Sequence, residues 1–498
     1  MLFKKKQRRH SLASYMMAAL LIVSNAVVAQ AENEETKQWP DLPLLTIETI
    51  DHVEPTATVV TPPEGSWGTS IVSEHVPGRM VITLKGETLY DSGDYVKGES
   101  GMRMKIRGNS TGANLPQHPY KLKLTKKADL LTPNGGKAKS KDWALLSIHT
   151  WNKAMKGAES NILTEMGNAV CSALGFSWVP RTQFVNLVLN GKYQGIYHLS
   201  ETFERSDNRV NIGKKGLLIE NDAYWWKPGE VYFKTNHQNK AMGYTFKYPD
   251  SDDVTEAELA NITTYMNSVE EAIFSDNEAD NYLDYTEFAR WILAHDILGS
   301  SDAAGSNAYL YKNVLSENEP NDDKLKMATL WDLDSSFLVD DNTWSNQHKM
   351  DVFYYPELFK KKGFVEKYKE LYNEKKDGIY ASVSDCLNKM KDNIGEAFEQ
   401  SRAMHQEVFN GECKNTLSEQ IDDVLTHLKT RLDALETMVP AMNVETGISN
   451  VQTPATLWLR TDLFGRNYTH TNASTLPSQI YIEKMSDGTV RKVFKKYE

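Results

Sequence analysis

Near residue 255 the hydrophobic pattern changes its period, and near residue 445 it changes back. Before the first change, apolar residues alternate at period two in Met80-Val-Ile-Thr-Leu84, Met102-Arg-Met-Lys-Ile106 and Pro119-Tyr-Lys-Leu-Lys-Leu124. In the last of these, Tyr120, Leu122 and Leu124 face one way and Lys121 and Lys123 the other. Asn190-Gly191 separates the runs Gln183–Leu189 and Tyr193–Leu199, the strongest short-range signal for a β-hairpin. One helix interrupts this part, roughly Ala158 to Ala173, with Ile162, Met166, Ala169 and Val170 at helical spacing and Gly175 as its stop. Gly108-Asn-Ser-Thr-Gly112 reads as a turn.

After residue 255 the spacing becomes helical. Glu256–Phe274 and Tyr282–Leu298 are predicted helices, and 355–439 is mostly helical. The last helix carries Ile421, Val424, Leu425, Leu428, Leu432 and Leu435 on one stripe and ends at Pro440. Two short strand-like runs, Ala308–Tyr311 and Leu325–Leu330, lie inside this helical part. The tail, 441–498, returns to short strands around Trp458, Ile480 and Val490. Strand-rich and helix-rich stretches that follow one another argue for an α+β fold. No internal repeat of 20–50 residues is seen.

The first 31 residues stand apart. A basic start, MLFKKKQRRH, precedes a mostly apolar stretch from Met16 to Val28 and a small-x-small site at Ala29-Gln30-Ala31, the layout of a secretory signal peptide. The apolar run is short for a membrane span, and no second long apolar run follows it. Cleavage removes five Lys/Arg and no acid, taking the net charge from −11 to −16. So acidic a chain argues against nucleic acid as a partner. Residues 32–79, with Pro55, Pro62 and Pro63, read as an extended lead-in with strands. Three cysteines, Cys171, Cys386 and Cys413, make no disulfide scaffold and show no metal-ligand spacing, and Cys171 reads as a small core residue.

Two stretches carry candidate chemistry. Asp302-x4-Asn307 and Trp331-Asp-Leu-Asp334 flank the two short strands. Phosphoryl transfer needs a carboxylate to orient the acceptor hydroxyl, with an amide and a second carboxylate to hold Mg²⁺. Asp332 and Asp334, two apart, would share a side of a strand, and either or both are candidate ligands. Lys121 and Lys123 are candidates to grip phosphates, with Glu159 and Glu165 as possible helix partners, although an exposed helix face explains those two acids as well. Tyr193 to Glu201 ends a strand in an acid where the two parts of the domain would join, and its backbone is a candidate for adenine-edge recognition. His149, His198 and His295 are scattered and read as packing or surface residues; with no Ser/His/Asp or zinc signature, a hydrolase is disfavoured.

Taken in order, Arg107-Gly-Asn-Ser-Thr111, Pro119–Leu124, Pro180–Tyr197 with Glu201, Asn307-Ala-Tyr-Leu-Tyr311 and Trp331-Asp-Leu-Asp334 resemble the CotH spore-coat kinase family over about residues 80–440. The resemblance implies an atypical protein-kinase-like fold of two lobes, a β-rich one over about 80–250 and a helical one over about 251–440. It also implies transfer of the ATP γ-phosphate to Ser or Thr of a partner protein, with Mg²⁺ or Mn²⁺. By position, Asp302 resembles the catalytic acid, Asn307, Asp332 and Asp334 the metal-binding set, and Lys121 or Lys123 the phosphate-gripping lysine, with Glu201 on the nucleotide side. One departure falls at Ser160, where the family usually has an arginine.

The tail motifs Thr446–Val451, Asp462–Arg466, Ile480–Ile482 and Gly488–Lys496 resemble the sorting module of type IX secretion. The expectation is therefore a secreted or cell-surface kinase acting on a surface or secreted protein. The alternative is a surface binding protein on a kinase-like scaffold that has lost transfer, since ATP is scarce outside the cell.

Overall fold

The structure is a computed structural model that describes residues 39–66, 68–133, 135–150, 158–300, 306–315, 323–338, 343–345, 354–442, 457–462, 480–485 and 490–494. The expected signal peptide and Asp302 lie outside the described residues, as does most of the tail's motif sequence.

The strands of the first 201 residues are β1 (Leu44–Thr49), β2 (Thr58–Val60), β3 (Ser70–Val72), β4 (Val76–Leu84), β5 (Glu87–Asp91), β6 (Met102–Ile106), β7 (Tyr120–Ala128), β8 (Ser140–Leu146), β9 (Thr182–Leu189) and β10 (Lys192–Glu201). Seven of them run in the order β1-β9-β10-β8-β7-β6-β4, and β4 pairs back onto β1 to close a barrel. β1 is parallel to β9 and antiparallel to β4, so a strand from the segment read as an extended lead-in closes the ring. Closure satisfies the backbone groups that an open sheet leaves at its edges. The period-two alternation fixes which residues fill it: Met80, Met104, Leu122, Trp143, Leu187 and Tyr197 point inward and are buried. At the β9–β10 turn, Asn190 (φ 48°) and Gly191 (φ 75°) both have positive φ, the conformation a two-residue hairpin requires.

The helices are α1 (Ser110–Asn114), α2 (Ser160–Leu174), α3 (Glu256–Phe274), α4 (Tyr285–Leu298), α5 (Lys362–Val408) and α6 (Leu417–Met438). α1 occupies the stretch read as a turn. Thr255 and Thr416 start α3 and α6 with reciprocal capping boxes to Glu258 and Glu419. α2 ends at Gly175 in the left-handed conformation (φ 83°). Although α2 lies between barrel strands in sequence, Ile162, Met166 and Val170 belong to the core shared with the helices, not to the barrel's own core.

The 47-residue α5 ties the helices to the barrel. Asn186 Nδ2 donates to Ser401 Oγ (2.9 Å), and Ile196 N donates to His405 Nδ1 (3.1 Å). Gly195 (φ 89°) permits that approach, since a Cβ there would lie 2.6 Å from His405 Nδ1.

A second sheet joins sequence from both sides of residue 255. Its strands are β11 (Leu217–Asp222), β12 (Tyr232–Phe233), β13 (Gly243–Tyr248), β14 (Ala308–Lys312) and β15 (Lys326–Met327), in the order β12-β13-β11-β14-β15. The described tail forms an antiparallel sheet of β16 (Leu457–Asp462), β17 (Ile480–Met485) and β18 (Val490–Phe494). The fold is mixed α+β, as expected. Among the described residues no helix is long and apolar enough to cross a membrane.

Candidate functional site

A cavity of about 280 Å³ opens where the barrel, α2 and the second sheet meet. The barrel side supplies Arg107, Pro119 and Leu146, and α2 supplies Ser160, Asn161 and Thr164. The residues just after β11 supply Ala223 and Tyr224, those just before β14 Ser306 and Asn307, and the segment after β15 Trp331, Asp332 and Asp334. Three of the residues expected from sequence, Asn307, Asp332 and Asp334, therefore share one cavity.

Asn307 Nδ2 donates to Asp332 Oδ2 (3.2 Å). Both residues are left-handed, with φ of 65° and 62°. Such conformations are uncommon outside glycine and cluster at functional sites. Asp332 is not on a strand, which corrects the same-side argument. It precedes a short 3-10 turn, Leu333–Ser335, and that turn is what brings Asp334 to the cavity. Leu333 anchors the turn against α2 at Gly167, where any Cβ would collide with it. Ser300 and Ser335 hydroxyls hydrogen-bond at 2.8 Å and fasten the turn to the end of α4.

The loop into Asn307 is held from β11. Glu220 Oε1 accepts from Asn307 N (3.3 Å), and Asp222 accepts from Ser306 Oγ (3.1 Å) and Thr245 Oγ1 (3.2 Å). Burial raises the Glu220 carboxyl above its ordinary range, against the pull of Lys247, whose Nζ lies 2.8 Å away.

Sequence reasoning did not assign a role to three lining residues. Arg107 brings the guanidinium: it is half-buried, its Cζ lies 5.8 Å from the Trp331 ring, and desolvation lowers its pKa against the attraction of Tyr309, Asp332 and Glu220. His149, read as a packing or surface residue, bonds through Nε2 to Asp334 Oδ2 (3.0 Å). Asn161 is 2 % exposed, and its Nδ2 has no hydrogen-bond partner, nor does His149 Nδ1. Buried polar groups are normally paired, so orphan groups beside a cavity suit a ligand that would pair them. One signal for Arg107 was available: it continues the outward positions Arg103 and Lys105 by two residues. The pairing of His149 with Asp334, 185 residues away, has no local signature.

The other expected residues lie elsewhere. Lys121 Nζ pairs with Asp142 (3.1 Å), and neither Lys121 nor Lys123 lines the cavity. Glu201 is fully buried and accepts from Arg181 Nη2 (2.8 Å) and Arg181 N (2.9 Å). Glu159 and Glu165 are not on an exposed face. Glu159 accepts from Thr150 Oγ1 (2.7 Å) and Cys413 N (2.8 Å). Glu165 lies 2.7 Å from His198 Nε2; burial pushes its carboxyl up, but the His198 bond and charge bring it below the ordinary range. Ser160, the departure expected from the sequence resemblance, lines the cavity and donates to Asn161 Oδ1 (2.9 Å).

Among the described residues no group of three His, Cys, Asp or Glu side chains is placed to hold a metal by itself. The oxygen donors of Asn307, Asp332 and Asp334 fit Mg²⁺, which takes one or two protein carboxylates and fills its shell with water and phosphate. Arg107 and Asn161, with its unpaired amide hydrogens, line the same cavity and suit phosphate oxygens. No curated protein matches the sequence. The model of the CotH kinase protein family matches residues 104–435, more than half of the chain, and the chain belongs to that family.

Proposed function

We propose that the protein is a secreted or cell-surface atypical protein kinase that transfers the γ-phosphate of ATP to Ser or Thr of a partner protein, with Mg²⁺ or Mn²⁺. The observation that carries this reading is the cavity lined both by Asn307 and Asp332, left-handed and hydrogen-bonded to each other, and by the half-buried Arg107. Kinase-family membership in general implies a nucleoside triphosphate and a divalent metal. Asn307, Asp332 and Asp334 would hold the metal, which would supply positive charge to neutralise the phosphates.

The chain's own groups do the rest. His149 orients the Asp334 carboxylate, as outer-shell partners orient ligands. Arg107 and Asn161 donate to phosphate oxygens. Asp302 accepts the proton of the acceptor hydroxyl. Of the two lysines, Lys121 is nearer along β7 to the cavity residue Pro119, and it reaches nucleotide by leaving Asp142. Glu201 acts on the nucleotide side by holding the end of β10 through Arg181. Export is supported by the signal-like first 31 residues and by the sorting-like tail.

The test is transfer of label from ATP with Mg²⁺ or Mn²⁺, beside Asp302→Ala and Asp332→Ala. Loss of about 10³-fold in each variant is expected. Transfer that survives both substitutions sinks the site. Nucleotide binding without transfer by the unaltered protein favours the inactive, surface-binding alternative.

A further inference from the structure

The outer face of β6 and β7 carries cations in opposed pairs. Arg103 stands across from Lys123, and Lys105 across from Lys121. Like charges directly opposite on neighbouring strands are destabilising, and this chain has an excess of 11 acids to spread elsewhere. Two residues after Lys105, just past the end of β6, Arg107 N–H still bonds Pro119 O (2.9 Å), and both Arg107 and Pro119 line the cavity. The basic face therefore runs without a break into the proposed active site.

Two further groups mark the same face. Burial, and then the charges of Lys105, Arg103, Lys121 and Lys123, push His75 down to about 4. Lys227 Nζ reaches Asn109 Oδ1 (3.5 Å), a cavity residue, and burial lowers its pKa against the pull of Glu230 and Asp222, with Lys105 and Lys247 adding to the lowering. Glu74 and Glu230 near Lys105, and Asp142 at Lys121, offset part of this charge and leave the cations in excess.

We infer that this face binds an acidic, extended segment of the protein that is to be phosphorylated, with its negative side chains along Arg103, Lys105 and Lys123 and its acceptor hydroxyl at the cavity. The inference rests on the kinase reading for the identity of the segment. The occupant is a protein strand because the spacing matches. Arg107, Lys105 and Arg103 recur every second residue, about 6.6 Å apart, which is the pitch of same-side side chains in any extended peptide. A nucleotide held by Arg107 and Asp332 leaves Arg103 and Lys105 outside, since neither lines the cavity.

The test uses the full chain, a labelled Ser peptide with alternating Asp and Glu, and a matched Asn/Gln peptide. Fluorescence anisotropy should show the acidic peptide binding at least tenfold more tightly, with affinity falling as salt rises. Arg103→Glu should cut that affinity about tenfold and raise KM for the acidic peptide, leaving KM for ATP and turnover of the neutral peptide unchanged. Lys105→Gln should act in the same direction, less strongly, and guards against a folding defect in the first variant. Equal affinity for the two peptides, or an unchanged affinity in both variants, overturns the inference. So does a single-stranded oligonucleotide that displaces the acidic peptide at lower concentration than the unlabelled peptide does. Tight, salt-sensitive binding without phosphate transfer sustains the docking face while the kinase reading fails, and transfer without acidic preference does the reverse.

Discussion

The barrel interior and the cavity beside it are built on opposite terms. Inside the barrel, Met104, Leu122 and Leu187 are fully buried, and the polar tips that enter are bonded: Trp143 Nε1 to Ser140 O (3.2 Å) and Tyr197 Oη to His118 O (2.9 Å). At the cavity, the half-buried Arg107 is partly desolvated, Asn161 Nδ2 and His149 Nδ1 lack partners, and Asn307 and Asp332 are left-handed. Each of these features costs folding free energy. Features that the fold does not require, gathered at one opening, are what a binding site adds to a scaffold. The contrast predicts that stability and function respond to different residues.

The largest expected effect falls on the barrel. Trp143→Ala removes a fully buried side chain and should lower unfolding free energy by about 3–5 kcal/mol. Nucleotide affinity of the folded fraction should stay within about twofold, which titration below the unfolding transition checks. An affinity that collapses together with stability would show that barrel and cavity are not separable.

Gly167→Ala sharpens the comparison at the point where α2 meets the cavity turn. Its Cβ would collide with Leu333, between Asp332 and Asp334. A displacement of about 1 Å at a catalytic group costs about 10²-fold in rate. Transfer should fall by that order, measured as kcat/KM, while Asp332→Ala remains the lower bound. Unaltered transfer with a lowered melting temperature would make Gly167 a packing residue alone.

The same contrast explains what could be read from the chain. Hairpin Asn190-Gly191, helix Glu256–Phe274 and the tail strands were legible because each is announced locally: by a turn pair, by helical spacing, by short strand-like runs. Barrel closure was not, because it pairs β1 with β9 across about 140 residues and nothing in Leu44–Thr49 marks its neighbours. Asn307, Asp332 and Asp334 were legible as a spaced motif, although Asp332 proved to be left-handed and not on a strand. Arg107, His149 and Asn161 were not assigned, since only tertiary packing aims them at one point. The pairings of buried Glu159 and half-buried Glu165 were likewise not legible, because their partners Cys413 and His198 come from other elements.

His405 gives the comparison a pH axis, at the joint between α5 and the barrel. Burial pulls its pKa down to about 4, below the ordinary 6.5 of an unfolded chain. Between those values the unfolded state binds the extra proton, so stability present above pH 6.5 is lost as pH falls toward 4. From pH 6.5 to 5 the loss is about 2 kcal/mol. His295, lowered to about 3 by burial, acts in the same direction, and Asp296, raised by burial to about 7, in the opposite one. The difference between wild type and His405→Asn therefore isolates His405: the variant's denaturation midpoint should fall less on acidification. Parallel pH profiles would remove His405 from the joint's energetics.

The smallest effect compares two asparagines that share one backbone conformation. Asn190 (φ 48°) turns the barrel hairpin, and its Oδ1 accepts from Thr49 N (2.9 Å) and Thr49 Oγ1 (3.0 Å). Asn307 (φ 65°) meets Asp332 at the cavity. Glycine adopts either conformation without steric cost, so Asn→Gly tests the side chain alone. Asn190→Gly should cost about 1 kcal/mol, the net worth of a hydrogen bond to β1, and leave nucleotide binding unchanged. Asn307→Gly should leave stability within about 1 kcal/mol, because the bond it loses is exposed, yet weaken metal-dependent nucleotide binding at least tenfold. Paired melting and binding curves decide the matter. If Asn307→Gly loses stability and keeps binding, the left-handed turn at the cavity serves the fold, and the division between scaffold and site fails at its most specific residue.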